Sequence, residues 1–459
     1  MYDPDTICVV SSALGEAGIG VLRMSGPQAH SVLRTIFQPK KPVDSFSPRH
    51  LYLGFIINPD TGEPVDEVFA VFMNGPWTYT REPMAEVYSH GGINAPRKIL
   101  SLMVRHGARV AEPGEFTKRA FLNGRIDLAQ AESVLDVIRS ESDQEAGSAL
   151  RHLAGLLSER IGSVRDQVRI ALANTEAMID FPDEELEADG LINRKETVSL
   201  LDTARQKLQE LICSYADGRA VKNGVEVLIV GRTNVGKSSL LNALLMEEKA
   251  IVTALPGTTR DLIEDVFHVK GIKLRIIDTA GLRMPRDAAE EQGIERVKKR
   301  IPAADVVLWV LDNAENFLDE DEHIYDLIKD KKIVSVLNKS DLPQKLDRER
   351  LIERNLTPVN VCALNGSGLD MLKEVLYDVA MGTGHKSPAL LITNVRHRDA
   401  LIRVDEALQR ALSCTRQEES PEFTAFELRE ALSCFGEITG ETCNEEILDE
   451  IFSKFCIGK

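Results

Sequence analysis

Gly231-Arg232-Thr233-Asn234-Val235-Gly236-Lys237-Ser238-Ser239 is the stretch from which the fold follows. The β-prone run Val225 to Val230 precedes it, and Leu240-Leu241-Asn242-Ala243-Leu244-Leu245, rich in helix formers, comes after. Strand, glycine-bounded loop and helix start are the context that makes GxxxxGK[ST] a phosphate site. Loop N–H groups and the helix N-terminus converge on an anion there, Lys237 adds a point charge, and Ser238 can place its hydroxyl on Mg²⁺. A plain glycine turn at a strand end would not need the lysine and the serine together.

Four further segments follow in an order that makes sense as a set. Gly257-Thr258-Thr259-Arg260-Asp261 brings a mobile hydroxyl, that of Thr259, to complete the Mg²⁺ shell when a γ-phosphate is present. The apolar strand Lys273 to Ile277 runs into Asp278-Thr279-Ala280-Gly281, where Asp278 holds the metal through water and the Gly281 N–H senses the γ-phosphate. A third strand, Val306 to Leu311, ends in Asp312. A fourth, Ile333 to Leu337, delivers Asn338-Lys339-Ser340-Asp341. A carboxylate at that place accepts both N–H donors on guanine's Watson–Crick edge, whereas adenine would leave it facing an acceptor. GTP, not ATP, is therefore the expected nucleotide, and Cys362-Ala363-Leu364 after Val359-Asn360-Val361 closes the base pocket. Leu282 follows Gly281 where a Ras-type enzyme carries the glutamine that positions the attacking water. Leucine cannot hydrogen-bond water, so another group has to orient it.

The 459 residues suggest about three domains. A hydrophobic share of 43% with 28% charged residues reads as soluble and globular, and the formal net charge of −17 opposes non-specific polyanion binding. A basic protein partner fits that charge better. The seven cysteines, Cys8, Cys213, Cys362, Cys414, Cys434, Cys443 and Cys456, form no CxxC pair, which suits reduced thiols without structural zinc. The N-terminus lacks a basic and apolar leader, and no apolar run approaches the roughly 18 residues a membrane span requires. A cytoplasmic location is expected.

Residues 1–120 carry short β-prone runs, Ile19 to Met24 and Val68 to Phe72, with helices expected at Ser31 to Phe37 and Ala95 to His106, a small α+β domain. Trp77 to Glu82, Ser89-His90-Gly91-Gly92 and Pro113 to Arg119 read first as turns and second as ligand-lining loops. From 121 the period becomes helical. Leu157, Ile161, Val164, Val168 and Leu172 share a helix face that Pro182 ends, and Val198, Leu201, Leu208, Leu211 and Ile212 form a second stripe. That stripe leads to Tyr215-Ala216-Asp217-Gly218, expected as a C-cap. Helical patterning returns at Leu401, Val404, Leu408 and Leu412, and in a last helix, Glu445 to Phe455, capped by Asn444. Asp319-Glu320-Asp321-Glu322 reads as a solvated helix start. The expected fold is an α+β N-terminal domain (1–120), an all-α central domain made of two chain segments (121–217 and 384–459), and an inserted α/β P-loop GTPase domain (218–383).

With these motifs in hand, the whole chain resembles the MnmE (TrmE) family of tRNA-modification GTPases. The likeness rests on Gly20-Val21-Leu22-Arg23-Met24-Ser25-Gly26, the run Pro113 to Glu132, Ile179 to Glu185, the GTPase motifs and the terminal Phe455-Cys456-Ile457-Gly458-Lys459. It implies a K⁺-stimulated GTPase activated when two G domains meet, with Asn234 as a K⁺ ligand and Thr253, Leu255 (backbone) and Thr258 supplying further oxygens. A monovalent cation bridging the phosphates would do the work of an arginine finger. The register set by Gly293-Ile294-Glu295-Arg296 puts the family's water-orienting acid at Glu290, with Glu291 the neighbouring alternative. The resemblance also implies an N-terminal domain that dimerises and binds a one-carbon folate, 5-formyl-tetrahydrofolate or a relative, through positions matching Arg23, Glu82, Arg125 and Lys459. Arg125 stands where lysine is common, and Arg81 and Pro83 replace the usual Gly and Asp beside Glu82. Cys456 is either an exposed thiolate near folate and target base or a small hydrophobe buried on the Phe452 and Phe455 face. The implied function is a homodimer that works with the FAD-dependent MnmG protein, as a heterotetramer, on C5 of the wobble uridine 34 of certain tRNAs. The alternative is a GTP-gated regulatory switch with no role in that chemistry.

Overall fold

Alternating apolar positions in the first quarter of the chain build a seven-stranded sheet. A computed structural model describes residues 5–181, 194–252, 265–277, 298–382 and 390–459, with backbone alone for 247–252 and 265. The strands are β1 (Ile7–Val10), β2 (Ile19–Ser25), β3 (Phe37–Pro39), β4 (Tyr52–Ile57), β5 (Pro64–Met73), β6 (Met84–His90) and β7 (Arg109–Val110), in the order β3-β4-β5-β6-β2-β1-β7. All pairs are antiparallel except β1 with β7. Helices α1 (Ala29–Ile36) and α2 (Asn94–Arg105) put Val32, Leu33, Ile36, Ile99 and Met103 into one core with Leu22, Met24, Ile56, Val68, Phe72 and Val87. Each such side chain contributes about 1.5–3 kcal/mol by leaving water. On other rungs the register aligns Leu53 with Phe69, Phe69 with Tyr88 and Tyr88 with Val21. Leu53 and Phe69 remain 38% and 48% exposed.

The chain divides into two compact units. One holds Met1–Leu135, His152–Asn193 and Ser413–Lys459; the other holds Asp136–Arg151 and Arg194–Leu412. The elements that complete the first are α3 (Glu115–Leu122), α4 (Leu128–Arg139), α5 (Asp143–Leu153), α6 (Leu156–Asp180) and, near the end, α13 (Pro421–Thr439) and α14 (Glu445–Ser453), with α4 and α5 continuing into the second. Leu157, Ile161, Val164 and Val168 line the buried face of α6, but the stripe goes on to Ala171 and Thr175 and leaves Leu172 half-buried. Pro113 to Arg119, read as a turn, is a turn only up to Gly114 and then becomes α3. The last helix stops at Ser453, two residues before Phe455, and the Asn444 side chain accepts from the Glu446 N–H as its cap.

The second unit is built on six strands, β8 (Val225–Val230), β9 (Asp265–Val269), β10 (Ile272–Ile277), β11 (Val306–Asp312), β12 (Lys332–Asn338) and β13 (Val359–Asn360), in the order β13-β12-β11-β8-β10-β9. Every pair is parallel except β9 with β10. A parallel sheet carries cover on both faces, so its strands read as unbroken apolar runs. Val227, Ile229, Leu308 and Val310 meet α9 (Lys237–Val252) and α11 (Leu369–Met381) on one side. Leu228, Val307, Trp309 and Leu311 meet α10 (Asp319–Ile328) on the other. Helices α7 (Arg194–Cys213), α8 (Tyr215–Asn223) and most of α12 (Val395–Arg416) belong here too.

Two expectations are corrected in this unit. Tyr215 to Gly218 caps nothing; it opens α8. Gly218 is required inside it because a Cβ would come within 2.0 Å of the Ile392 carbonyl oxygen. The acidic run does start α10, yet only Asp319 and Glu320 are exposed. Asp321 is fully buried 2.8 Å from the Arg232 guanidinium, and Glu322 pairs with Arg354 at 2.7 Å.

Candidate functional site

The phosphate loop leaves buried Val230 at the end of β8 and enters α9 at Lys237. Asn234 sits in the loop at φ +64°, a left-handed backbone that asparagine tolerates better than most residues. The Lys237 ammonium donates to the carbonyls of Gly231 at 2.8 Å and Arg232 at 2.6 Å, so the loop wraps its own cation. Burial pushes that ammonium down to about 8, because losing water disfavours the charged form.

Asn338 ties three segments together. Its Nδ2 donates to the Val235 carbonyl at 2.8 Å and its Oδ1 accepts from the Ala363 N–H at 3.1 Å. Gly236 is obligatory beside it, since a Cβ there would lie 2.1 Å from that Nδ2. Lys339, at φ +60°, reaches back to Asp312 at 2.6 Å, which gives the strand-terminal Asp312 a partner that sequence reading left it without. Asp341 accepts from the Cys362 thiol at 3.1 Å. A cavity of about 770 Å³ opens between these segments, lined by Gly236, Ser239, Asn338, Lys339, Asp341, Cys362, Ala363 and Leu364 among others. The geometry thus gathers Gly236 and Ser239 of the phosphate loop and the base-pocket residues expected from sequence around one volume of nucleotide size, whereas Asn234, Val235, Lys237 and Ser238 do not line it. Ser238 follows Lys237 in the first turn of α9. Thr253, Leu255, Thr258, Thr259, Asp278, Gly281, Leu282, Glu290 and Glu291 lie outside the described residues.

A second cluster forms in the other unit, from the two ends of the chain. The Arg125 guanidinium lies 4.4 Å from the Tyr79 ring centroid, and Arg23 lies 5.7 Å from the same ring and 5.9 Å from that of Phe116. The Phe116 N–H donates to the Lys459 carbonyl at 3.1 Å, and Ile457 bridges to Pro113, so the C-terminus is stitched beside this cluster. Burial, then the Arg23 charge, lowers the Lys459 ammonium from its ordinary value. Arg23 is held by Glu86 at 2.8 Å, and the Tyr88 hydroxyl donates to the other Glu86 oxygen at 2.7 Å. Burial, then Glu86, pushes the Tyr88 hydroxyl up to about 12.

Glu82 faces inward. It accepts from the Ser25 hydroxyl at 2.6 Å and from the fully buried Arg119 at 3.3 Å, which also binds Asp5 and Glu115. Its link to the cluster runs through Ser25, two residues along β2 from Arg23. Cys456 is exposed, whereas Phe452 and Phe455 beside it are buried. Sequence reading placed Tyr79, Phe116 and Arg119 in segments that it took second as ligand-lining loops, without singling any of the three out. The available signal was an aromatic residue in a polar turn, which only the fold brings against two arginines. Arg81, where the resemblance expects glycine, has φ +65° and donates to the Asn123 carbonyl at 2.8 Å.

Residues 6–125 match the family description GTP-binding protein TrmE N-terminus, and residues 128–456 match the MnmE helical domain. The chain belongs to the MnmE family of tRNA modification GTPases. Among proteins named tRNA modification GTPase MnmE, that of Natranaerobius thermophilus is 43% identical over 458 residues, 99% of each chain. Those of Geobacter sulfurreducens and Alkaliphilus metalliredigens are 44% and 42% identical, each over 100% of both chains. The G domain of the T. maritima FeoB iron transporter is 27% identical over 34% of this chain and 98% of that one, at a TM-score of 0.26, too slight a likeness to argue from. MnmE membership makes the chain a GTP hydrolase of tRNA modification. Among the described residues no helix is long and apolar enough to cross a membrane.

Proposed function

We propose that this MnmE protein couples a K⁺-stimulated GTPase cycle to formation of the 5-aminomethyl or 5-carboxymethylaminomethyl group on wobble uridine 34 of certain tRNAs, together with an FAD-dependent MnmG partner. The observation that carries this reading is the meeting of Arg23 and Arg125 on Tyr79, with Lys459 close enough to feel the Arg23 charge and an exposed thiol three residues before it, in a different unit from the guanine pocket. A GTPase alone has no use for such a cluster.

In the nucleotide pocket, loop amides and Lys237 hold the phosphates, and Asp341 reads guanine while Asn338 keeps the pocket's parts in register. Ser238 and Thr259 would hold Mg²⁺, with Asp278 assigned to it through water. Asn234, Thr253, Leu255 and Thr258 would hold K⁺, which would supply positive charge for the phosphates. Glu290 orients the water that Leu282 cannot. In the second cluster Arg23, Arg125 and Lys459 fit the carboxylates of a folate, and the flat face of Tyr79 fits its rings. Glu82, linked to the cluster through Ser25, is the acid assigned to the pterin donors. A one-carbon folate held there would supply the carbon of the new methylene, a 5-formyl group first taking two electrons from the reduced flavin of the MnmG partner, and Cys456 is the nucleophile placed beside it.

The nucleotide domain (218–383) is an insertion between helical segments 121–217 and 384–459. The return of the chain at Ser413 to the unit it left at Asn193 supports an insertion, though with bounds of 194 and 412 that take α7 and most of α12 along with the nucleotide domain. The exposed Leu53 and Phe69 of the N-terminal sheet suit a homodimer in which a second copy covers them, and MnmG completes a heterotetramer. A net charge of −17 suits a division in which MnmG carries much of the basic surface for tRNA. Titrating 5-formyl-tetrahydrofolate into the full-length protein tests the reading. Saturable binding that Arg125→Met weakens is expected, and no saturable binding would leave a GTP-gated regulatory switch instead. Hydrolysis should also run faster in K⁺ than in Na⁺ at equal ionic strength, and Glu290→Ala should lower turnover while sparing GTP affinity.

A further inference from the structure

Arg232, second residue of the phosphate loop, keeps only 7% of its side chain exposed. Its Nε lies 2.9 and 2.8 Å from the two oxygens of Asp321, and its Nη1 lies 3.2 Å from Glu315. Nη2 has no hydrogen-bond partner among the described residues. Asp321 in turn accepts the Leu318 N–H at 3.0 Å and starts α10. That helix is pinned to the sheet by Tyr325, stacked on Trp309 with ring centroids 5.7 Å apart, and by fully buried Ile328. A buried ion pair whose Nη2 donors are unsatisfied is a poor source of stability, so its value has to lie in what it holds. What it holds is a backbone unit of the phosphate loop: the Arg232 carbonyl accepts the Lys237 ammonium at 2.6 Å.

We propose that Asp321 is a positioning residue for nucleotide binding, acting through Arg232 to fix the loop carbonyl that aims Lys237. The inference rests on the GTP-binding reading of that loop. Helix α10, on the sheet face opposite α9, is thereby a rigid strut for the loop, and the acid that sequence analysis left to solvent is its anchor.

The experiment is nucleotide binding by the full-length protein, read with a fluorescent GDP and with steady-state GTP hydrolysis. Asp321→Asn is expected to weaken binding and raise KM about tenfold while kcat at saturation stays within about twofold. Because that variant also loses stability, Arg232→Met with Asp321→Leu serves as the second arm: apolar side chains of similar volume restore the melting temperature, yet the affinity stays low. Restoration of affinity together with stability would overturn the proposal, as would an Asp321→Asn protein that folds and binds normally. Failure of the unaltered protein to bind the probe would instead sink the GTP-binding reading itself.

Discussion

The guanine pocket and the cluster at the chain ends are assembled in opposite ways. Gly236, Asn338, Asp341 and Cys362 each lie within a few positions of a strand end on one mainly parallel sheet, so motif spacing and sheet order together place them around one cavity. The other cluster joins Arg23, Tyr79, Phe116, Arg125 and Lys459, residues that only the folded unit brings together. A site of the first kind survives as long as its sheet does. One of the second kind depends on a tail of a few residues staying docked.

The sharpest way to break that contrast is the tail's anchor. Phe455 is 5% exposed and packs with Phe452, their ring centroids 5.6 Å apart, against Ala120, Leu128 and Leu448. Phe455→Ala should cost about 3–5 kcal/mol in the unit that contains it and abolish folate binding, with GTP affinity unchanged. Chemical denaturation and the two titrations check this, and a parallel loss of GTP affinity would dissolve the distinction. Next comes the base-reading acid. Asp341→Asn removes the acceptor of two guanine donors and should weaken GTP roughly 100- to 1,000-fold, with xanthosine triphosphate gaining, in competition binding.

Asn338→Ala should act on the pocket's assembly rather than on the base. It leaves the Val235 carbonyl and the Ala363 N–H without their partner, a loss of about 1–3 kcal/mol for each buried group, visible as a lower melting temperature and weaker GTP binding together. The smallest effect concerns pH. Lys237 titrates near 8 without nucleotide, and phosphates raise that value because they favour its charge. Below pH 8 the ammonium is charged before and after binding, so affinity should be flat. Above it, binding must take up a proton, and GTP affinity should fall by up to about tenfold per pH unit. Isothermal titration in buffers of different ionisation enthalpy measures that proton directly.

What the sequence showed and what it hid follow the same divide. Strand β8, the loop and the start of α9 were legible because each rests on local chemistry: β-branched residues, a glycine pair and a helix N-terminus. The stripes of α6 and α12 were legible by period, apart from the drift that put Ala171 where Leu172 was expected. Asp321 was misread because charge runs are normally solvated, and only the fold sets an arginine from another segment against it. Gly218 was misread because a glycine after a helical stripe serves equally as a cap or as a place for another backbone, here that of Ile392. Tyr79 stood in a segment read second as a ligand-lining loop, but its partners Arg23 and Arg125 lie far away along the chain and only the fold brings them to it.

The central claim is that the nucleotide pocket serves a modification site built from the chain's two ends. Mass spectrometry of wobble uridines from cells lacking this protein tests it most directly. Loss of the C5 aminomethyl and carboxymethylaminomethyl groups, restored by the wild-type chain and not by the Phe455→Ala variant, is the predicted result. Unchanged nucleosides would contradict it.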